Sequence, residues 1–288
     1  MAWLVSGVLE LAQTLNDATL ASIADLERRV IEADGGRLKL EWGVLRSRSG
    51  HRVEDLLWWD GDRLLGFLGI YAFGAPTVEL TGMVAPEARR RGIASALLAA
   101  ALPLCRERGY TKTLLVTPRT PTAARDLALR RGAVLDHSEH ALQLTGDPAD
   151  APSNPRISLR PQTSADDVAV KSLMMAGFGW APPDSDIQPD NTERQDAVVV
   201  ELDGALVGSV HLTRVDDTAG VYGFVVHPDH RGRGIGRDVL RRICLQAFAD
   251  GAARVHLEVA VDNDRALGLY TSLGFAPVAT EDYYALPS

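Results

Sequence analysis

The sequence predicts two tandem α/β domains, each a sheet with helices on both faces. The chain has 288 residues, of which 46% are hydrophobic and 24% charged, which is enough apolar material for two medium-sized cores. One segment occurs twice, and strand-like and helix-like patterns follow one another in the same order in each half. Together these observations indicate a duplicated domain.

The repeated segment reads VAPEARRRGIA at Val84–Ala94 and VHPDHRGRGIG at Val226–Gly236, with six of eleven positions identical. The copies lie 142 residues apart, as Val84 and Val226 do. The same offset aligns three further pairs, Gly66 with Gly208, Gly132 with Gly274 and Leu144 with Leu286. Between the copies, TGDPADAPSNP is rich in residues that interrupt regular structure. We therefore predict domains at residues 1–146 and 156–288, joined by a linker at residues 147–155.

Local patterns predict the first elements of each copy. In the second copy, RISLRP predicts a short strand, and SADDVAVKSLMMAGF predicts a helix with Ser164 as its N-cap. DAVVVELDGALVGSVHLTRV contains two apolar strands joined at Asp203-Gly204, a pair typical of tight hairpins. The first copy shows the same hairpin in DLLWWDGDRLLGFLGIYAF. Its first helix is predicted by apolar residues at helical spacing, Leu20, Ile23, Leu26 and Val30.

The second copy continues with the strand VYGFVV, which leads into an arginine- and glycine-rich loop. The helix that follows the loop has an apolar face formed by Val239, Leu240, Ile243 and Leu245. ARVHLEVAV predicts the next strand, NDRALGLYTSLG a helix closed by Gly274, and YYAL the last strand.

Charge and cysteine content exclude several functional classes. A net charge of -8 argues against a nucleic-acid binder, because neutralising phosphates requires a clustered basic surface. Cys105 and Cys244 lie in helical patterns without metal-ligand neighbours, so we expect buried thiols and no metal site. The longest small-apolar run stops at Pro103 and is too short to span a bilayer. We expect a cytoplasmic protein that binds neither membrane nor nucleic acid.

The arginine- and glycine-rich loop has the character of a phosphate site. A strand, a glycine-rich turn and a helix place unpaired backbone N–H groups and the positive end of a helix dipole at one spot. Gly234 and Gly236 let a ligand approach the backbone, while Arg231, Arg233 and Arg237 add positive charge. The dinucleotide fingerprint would need glycine at position 237, and the Lys-Ser/Thr ending of the P-loop is absent. A solvated basic turn is the alternative, which the duplication disfavours.

The loop Arg231-x-x-Gly234-x-Gly236 resembles the pyrophosphate-binding motif of the GNAT superfamily of N-acyltransferases, Gln/Arg-x-x-Gly-x-Gly/Ala. NDRALGLYTSLGF is similar to the second motif of that superfamily, Asn-x-x-Ala-x-x-x-Tyr-x-x-x-Gly-Phe. The resemblance covers essentially the whole chain as a tandem pair and is stronger in the second half. It implies two GNAT folds, each a mixed, mostly antiparallel central sheet flanked by helices.

The resemblance also implies an N-acetyltransferase that uses acetyl-CoA, with no metal, and a small-molecule or peptide amine as acceptor. The amine would attack the donor directly in a ternary complex. The pantetheine would lie along the strand before the loop, whose backbone N–H groups would meet the thioester oxygen at a bulge. The implied donor-binding residues are Phe224, Val225, Val226, Arg231, Gly232, Arg233, Gly234, Ile235, Gly236, Arg237, Asn263 and Tyr270.

Two side chains are candidates for proton transfer. Tyr270 falls where many GNAT enzymes place the general acid that protonates the departing thiolate; a core aromatic is the alternative. In VHLEVAV, strand alternation places Glu258 on the opposite face from its valine and leucine neighbours. This carboxylate is therefore either exposed to solvent or takes part in the reaction. The spacing from Glu258 to Tyr270 resembles the acid–base pair of ribosomal-protein alanine acetyltransferases, which implies Glu258 as the base; an ion pair is the alternative. Asn263 would contact the donor, cap its helix, or do both.

Other interpretations remain open at this level. A non-catalytic acyl-CoA sensor is the alternative from another functional class. The tandem arrangement also resembles mycothiol synthase, but that family carries a glutamate where Gly220 stands here. Scattered histidines near the presumed site favour structural roles: His211, His227, His230 and His256. The acidic segment Pro182–Glu193 is either an acceptor entrance or a solvated loop.

The first half keeps the loop but not the proton-transfer candidates. Its loop reads Arg89-x-x-Gly92-x-Ala94, whereas the offset aligns Pro121 with Asn263, Ala128 with Tyr270 and Val116 with Glu258. We therefore predict a single catalytic site in the second half. The first half would either hold acyl-CoA without turnover or serve for packing.

Overall fold

The computed structural model describes residues 7–74, 76–120, 123–150, 152–179 and 196–287. The helices are α1 (Asp17–Asp34), α2 (Trp42–Arg46), α3 (Ile93–Glu107), α4 (Ala123–Arg130), α5 (Asp167–Phe178), α6 (Ile235–Ala249) and α7 (Asp264–Ser272). The strands are β1 (Val8–Ala12), β2 (Asp55–Asp60), β3 (Arg63–Gly74), β4 (Thr77–Val84), β5 (Lys112–Pro118), β6 (Val134–Leu144), β7 (Ile157–Pro161), β8 (Asp196–Leu202), β9 (Ala205–Val215), β10 (Thr218–Val226), β11 (Arg254–Ala260) and β12 (Ala276–Ala285). Strands and helices thus alternate in both halves in the predicted order.

The described chain forms two compact units. Unit 1 contains residues 7–138 and 279–287, and unit 2 contains residues 139–179 and 196–278. The units therefore differ from the repeats: most of β12, which ends the second repeat, belongs to unit 1, and the second part of β6, which ends the first repeat, belongs to unit 2. The reason is strand pairing, since β12 pairs with β5 and β6 pairs with β11.

Each unit is built on one mixed sheet. In unit 1 the strand order is β1-β2-β3-β4-β5-β12, and in unit 2 it is β6-β11-β10-β9-β8-β7. Neighbours are antiparallel except for β4 with β5 and β10 with β11, which the crossover helices α3 and α6 connect. The predicted fold class, a mostly antiparallel central sheet flanked by helices, is confirmed.

Burial follows the periodicity of the sequence. In α6, Val239, Leu240 and Ile243 are buried in the core of unit 2, which also contains Cys244. In unit 1, Ile23, Leu26 and Val30 of α1 are buried in the core. Both cysteines are free and fully buried, as the sequence predicted.

Two local predictions had different outcomes. The hairpin at Asp203-Gly204 is confirmed: both residues have positive φ, +53° and +81°, the backbone of a tight hairpin turn. The predicted N-cap Ser164 is wrong. Thr163 instead caps the 3₁₀ turn Ser164–Asp166 that leads into α5, and its backbone N–H and its hydroxyl both donate to Asp166 Oδ2, at 2.9 Å each.

Candidate active site

A gap between two parallel strands marks the candidate site in unit 2. β10 and β11 pair only from Thr218–Gly220 to Arg254–His256. Past that point β11 stays paired with β6, whereas β10 stays paired with β9. The strands therefore separate, and backbone groups of β10 on this side become available to a ligand. We call this feature the β10–β11 opening.

A β-bulge lies at the edge of the β10–β11 opening. The register between β10 and β9 shifts between Tyr222 and Val225, and Gly223 has φ +56°. Phe224 lies within this register shift, and Val225 and Val226 follow it directly. The structure thus places the three residues expected to meet the thioester beside the opening, in the strand that precedes the glycine-rich loop.

The loop after β10 exposes backbone N–H groups at the start of α6. Gly232 and Gly234 have φ of +77° and +78°, and a Cβ atom on Gly234 would find no atom within 4 Å. The first backbone hydrogen bond of the helix runs from the Asp238 N–H to the Gly234 carbonyl, at 3.1 Å. The N–H groups of residues 235–237 precede it and point out of the helix end. This arrangement suits an anion such as pyrophosphate.

The arginines of the loop have different roles. Arg231 braces the loop, because its Nε donates to the Val226 carbonyl at 2.9 Å and its Nη2 to the Gly177 carbonyl at 3.3 Å. Within the described residues, Arg233 and Arg237 make no hydrogen bond or ion pair and are exposed. The guanidinium groups of Arg233 and Arg237 are therefore free to contact a ligand, whereas that of Arg231 is held by two carbonyl groups.

Glu258 lies on the face of β11 that the sequence predicted. Residues along β11 alternate between buried and half-buried, with Val255, Leu257 and Val259 in the core and Glu258 on the opposite face. The His256 Nε2 is 3.6 Å from a Glu258 carboxylate oxygen, so the two form a close pair when the imidazole is protonated. A carboxylate beside an imidazole, next to the β10–β11 opening, can take up a proton.

Tyr270 lies on α7, and its side chain packs in the core of unit 2. Its side chain is 9% exposed, and its ring is 6.2 Å from that of Phe275. Burial raises the pKa of Tyr270 to about 12, so the phenol stays protonated at neutral pH. Its hydroxyl makes no hydrogen bond to the described part of the chain. Both roles considered for Tyr270, core aromatic and proton donor, are compatible with this position. Asn263 caps α7 by accepting from the Ala266 N–H at 3.1 Å.

The face that carries Glu258 also holds two residues that sequence reasoning left aside. His211 pairs across β9 and β10 with Tyr222, and its Cδ2 is 3.4 Å from the position of a Cβ on Gly223, the bulge glycine. Burial lowers the pKa of His211, which keeps the imidazole neutral. A Cβ on Gly220 would lie 2.4 Å from Tyr222 Cε2, so the tyrosine ring covers this glycine. Strand alternation alone could have placed His211 and Tyr222 near the bulge, but the bulge itself has no clear sequence signal.

His227 and His230 lie in the turn before the loop. The His227 Nδ1 accepts from the Asp229 N–H at 3.3 Å, in the turn before the loop. The His230 Nδ1 is buried and finds no hydrogen-bond partner among the described residues. The acidic segment Pro182–Glu193 lies outside the described residues.

Unit 1 contains the counterpart of this site in another form. A cavity of about 620 Å³ extends from its loop, at Arg90 and Gly92, into an apolar interior formed by residues such as Phe67, Met83 and Leu97. The sheet beside it is more regular, since β3 and β4 keep one register from Gly66 to Tyr71, and β4 and β5 stay paired through Thr81 and Val116. Unit 1 therefore has a ligand-sized cavity but no bulge at the position where β10 has one.

Unit 1 includes residues of the second repeat, because β12 pairs with β5. Tyr283 of β12 lies opposite Val116, the residue that aligns with Glu258, and accepts a hydrogen bond from Lys39 Nζ at 2.6 Å. The offset of 142 residues leaves the first repeat without counterparts of Glu258, Asn263 and Tyr270. Unit 1 also contains most of β12 of the second repeat, which adds the phenol of Tyr283. Arg89, at the first position of the loop motif, is paired with Asp34, at 2.8 and 2.6 Å.

Two general properties of the described residues bear on function. None of the described helices is both long and apolar enough to cross a bilayer. Within the same ranges, no group of three or more His, Cys, Asp or Glu side chains is arranged to hold a metal ion.

Comparison with known proteins decides the family. The model of the acetyltransferase (GNAT) family matches residues 18–133 and 168–275, so it matches both halves of the chain. The chain belongs to the GNAT acetyltransferase family. It is an acyltransferase with tandem GNAT domains, as the two sequence motifs predicted.

Individual relatives agree with this membership. A mycothiol acetyltransferase from Mycolicibacterium vanbaalenii is 32% identical over 268 residues, which covers 84% of this chain and 86% of the relative. A GCN5-related N-acetyltransferase from Sphaerobacter thermophilus aligns with a TM-score of 0.77 at 18% identity, covering 98% of this chain and 96% of the other. A tandem GNAT protein from the clavulanic acid biosynthesis pathway aligns with a TM-score of 0.73 at 19% identity, over 98% of this chain and all of the other. These two structures show a common tandem GNAT fold.

The family uses acetyl-CoA as a co-substrate, and the loop of unit 2 fits such a donor. The N–H groups at the start of α6 suit the pyrophosphate, and the open space above Gly234 leaves room for it.

Proposed function

We propose that unit 2 transfers the acetyl group of acetyl-CoA to a primary amine by direct attack in a ternary complex. The observation that carries this proposal is the β10–β11 opening, with its bulge at Tyr222–Val225 and the glycine-rich loop at its end. A thioester laid along this edge reaches unpaired backbone N–H groups, and its phosphates reach the start of α6.

Donor binding falls to backbone and loop. The N–H groups of residues 235–237, with Arg233 and Arg237, bind the phosphates. The N–H groups near Phe224–Val226 stabilise the oxyanion that develops on the thioester carbonyl. Arg231 acts indirectly, by holding the loop through the Val226 and Gly177 carbonyls.

Glu258 and Tyr270 handle the protons. As the amine nitrogen bonds to the acetyl carbon, the C–S bond breaks and the thiolate departs. Glu258 accepts the proton that the nitrogen loses, directly or through water, and Tyr270 donates a proton to the thiolate sulfur. Burial raises the pKa of Tyr270 to about 12, so the phenol carries its proton at neutral pH and has one to donate.

The acceptor that we propose is a small-molecule amine. Support comes from the relative named mycothiol acetyltransferase, which matches 84% of this chain. The pocket differs from the pattern of mycothiol synthase, however, because Gly220 stands in place of a glutamate and the Tyr222 ring covers it. A Cβ atom on residue 220 would also lie 2.8 Å from Thr213 Oγ1. We therefore expect an amine whose recognition does not depend on a carboxylate at this position.

We further propose that turnover is confined to unit 2 and that unit 1 holds a CoA thioester without transferring its acyl group. The cavity in unit 1 reaches the loop at Gly92, and the buried Thr117 hydroxyl, which lines it, has no hydrogen-bond partner among the described residues. A hydroxyl in that state favours a polar ligand group in the cavity. The regular pairing of β3 with β4 from Gly66 to Tyr71 argues against transfer in unit 1, because this stretch has no bulge that could receive the thioester oxygen.

Mass spectrometry of the products tests the reaction. Acetyl-CoA is incubated with a library of primary amines, and we expect acetylated amine together with one CoA per product. CoA release that does not depend on any amine would contradict the transferase proposal. Binding of acetyl-CoA without turnover on any amine would support a sensor instead.

A pair of matched variants tests which unit catalyses the acetyl transfer. Gly234 and Gly92 both have positive φ and open space around the Cβ position, so Gly234→Glu and Gly92→Glu introduce similar strain. A carboxylate at Gly234 repels the donor phosphates of unit 2, and we expect loss of at least about 99% of the activity, corresponding to roughly 2.7 kcal/mol. Gly92→Glu should retain most of the activity. The reverse pattern would assign the catalytic site to unit 1.

A further inference from the structure

Arg265, in the first turn of α7, lies against the glycine-rich loop of unit 2. Its Nη2 is 3.7 Å from the position that a Cβ atom on Gly232 would occupy. The packing of α7 on the start of α6 holds it there, since Leu269 Cδ2 is 3.3 Å from the corresponding position on Gly236. The guanidinium therefore lies beside the loop that leads into the start of α6.

Arg265 has no partner of its own. It is exposed and forms no hydrogen bond or ion pair within the described ranges, although Asp262 and Asp264 are its neighbours in sequence. Two other arginines of unit 2 are paired with carboxylates, since Arg254 binds Asp217 at 2.6 Å and Arg241 binds Asp150 at 2.7 Å, whereas Arg233 and Arg237 of the loop are unpaired like Arg265. A guanidinium that stays unpaired beside a phosphate-binding loop is available for an anionic ligand.

We infer that Arg265 binds a phosphate oxygen of the CoA donor and so contributes to the recognition of CoA over shorter thioesters. This inference rests on the proposed use of acetyl-CoA by unit 2. Arg233 and Arg237 approach the phosphates from the loop and from α6, and Arg265 adds a guanidinium from α7. Its planar fork can give two parallel N–H donors to one phosphate group.

The repeat shows that this feature belongs to unit 2. The offset of 142 residues aligns Arg265 with Ala123, which lines the cavity of unit 1. The same offset aligns Gly232 with Arg90, so the first loop has an arginine where the second has a glycine. The loop of unit 2 thus leaves a space without a side chain at Gly232, and Arg265 lies beside that space.

The test compares Arg265→Ala with wild type on three donors: acetyl-CoA, acetyl-dephospho-CoA and S-acetylpantetheine. We expect the KM for acetyl-CoA to rise about tenfold, the effect of losing one charged hydrogen bond, while kcat stays unchanged. The KM for S-acetylpantetheine, which has no phosphate next to the loop, should be the same in both proteins. If the partner is the 3′-phosphate, the change vanishes with acetyl-dephospho-CoA; if it is the pyrophosphate, the change persists.

Two controls keep the inference falsifiable. Arg254→Ala removes a half-buried arginine of unit 2 that is paired with Asp217, and it should leave the KM for acetyl-CoA as in wild type. Titration calorimetry with CoA alone gives a readout independent of transfer. Done with Gly92→Glu in both proteins, so that the loop of unit 1 does not bind CoA, it should show a Kd about tenfold weaker for Arg265→Ala. A Kd ratio below about twofold, or an equal change in KM for S-acetylpantetheine, overturns the inference. Wild type that binds CoA but acetylates no amine contradicts the transferase proposal alone, because the Kd ratio still decides the role of Arg265.

Discussion

Replacing Tyr270 with phenylalanine removes one oxygen atom and leaves the ring in the core of unit 2. The hydroxyl makes no hydrogen bond to another described residue, so folding loses little. We expect the melting temperature to change by less than about 4 °C, the shift that roughly 1 kcal/mol causes in a domain of this size. The transferase reaction, in contrast, loses its proton donor.

The expected kinetic loss follows from the acidity of Tyr270. Because its pKa lies at about 12, the phenol is fully protonated during turnover at neutral pH, so the wild type uses it in every cycle. Removal of a general acid lowers kcat about a hundredfold, or roughly 2.7 kcal/mol in the barrier. Steady-state kinetics with acetyl-CoA and an accepted amine measure kcat and KM separately, and we expect KM for acetyl-CoA to stay within about twofold of wild type.

Tyr110→Phe is the matched control, since it removes the hydroxyl of a half-buried tyrosine in unit 1. It should leave kcat unchanged. A kcat for Tyr270→Phe within about threefold of wild type, with an unchanged melting temperature, would refute Tyr270 as the proton donor, because general acid catalysis contributes far more.

Three other perturbations have definite expected outcomes. Glu258→Gln keeps the shape of the side chain but cannot accept a proton, so kcat/KM for the amine should fall about a hundredfold while acetyl-CoA binding by calorimetry is unchanged; full activity would assign the base elsewhere. Asp55→Ala removes both hydrogen bonds, at 2.8 Å each, that the buried Arg48 guanidinium donates to Asp55, and leaves it only Glu54 at 3.7 Å and backbone carbonyls. Urea denaturation should show a loss of about 3 kcal/mol; a loss below about 1 kcal/mol would contradict the buried pair. Burial lowers the pKa of His211 in the folded protein, so its contribution to stability is present above its unfolded pKa of about 6.5 and is lost as the pH falls through its folded pKa. The free energy of unfolding of His211→Asn should therefore fall less than that of wild type between pH 7.5 and pH 5. Denaturant titrations at each pH measure this, and an equal fall in both proteins would contradict it.

Local sequence patterns predicted most of the elements and the family. The spacing of Ile23, Leu26 and Val30 is a property of one helix, and Asp203-Gly204 encodes its own turn, so each could be recognised without knowledge of its surroundings. The predicted N-cap, Ser164, was one residue away from Thr163, which caps the 3₁₀ turn before α5, because the two residues are chemically similar and only the carboxylate of Asp166 distinguishes them. The loop motif predicted a strand, a glycine turn and a helix in succession, and the structure has them as β10, the loop and α6, because these elements are consecutive in sequence.

The sequence by itself determined that the chain holds two copies of one GNAT domain and that Glu258 faces away from the core, because a repeat and a strand alternation are contained in the order of residues. Only the tertiary structure decided that β12 pairs with β5 and β6 with β11, since an alternating strand has the same pattern whichever partner it joins. Tertiary packing likewise placed the Arg231 guanidinium where it donates hydrogen bonds to two carbonyl groups, and it brought Arg265 beside Gly232. Such contacts join residues that are distant along the chain, and their formation depends on how helices pack on the sheet, which no local pattern records.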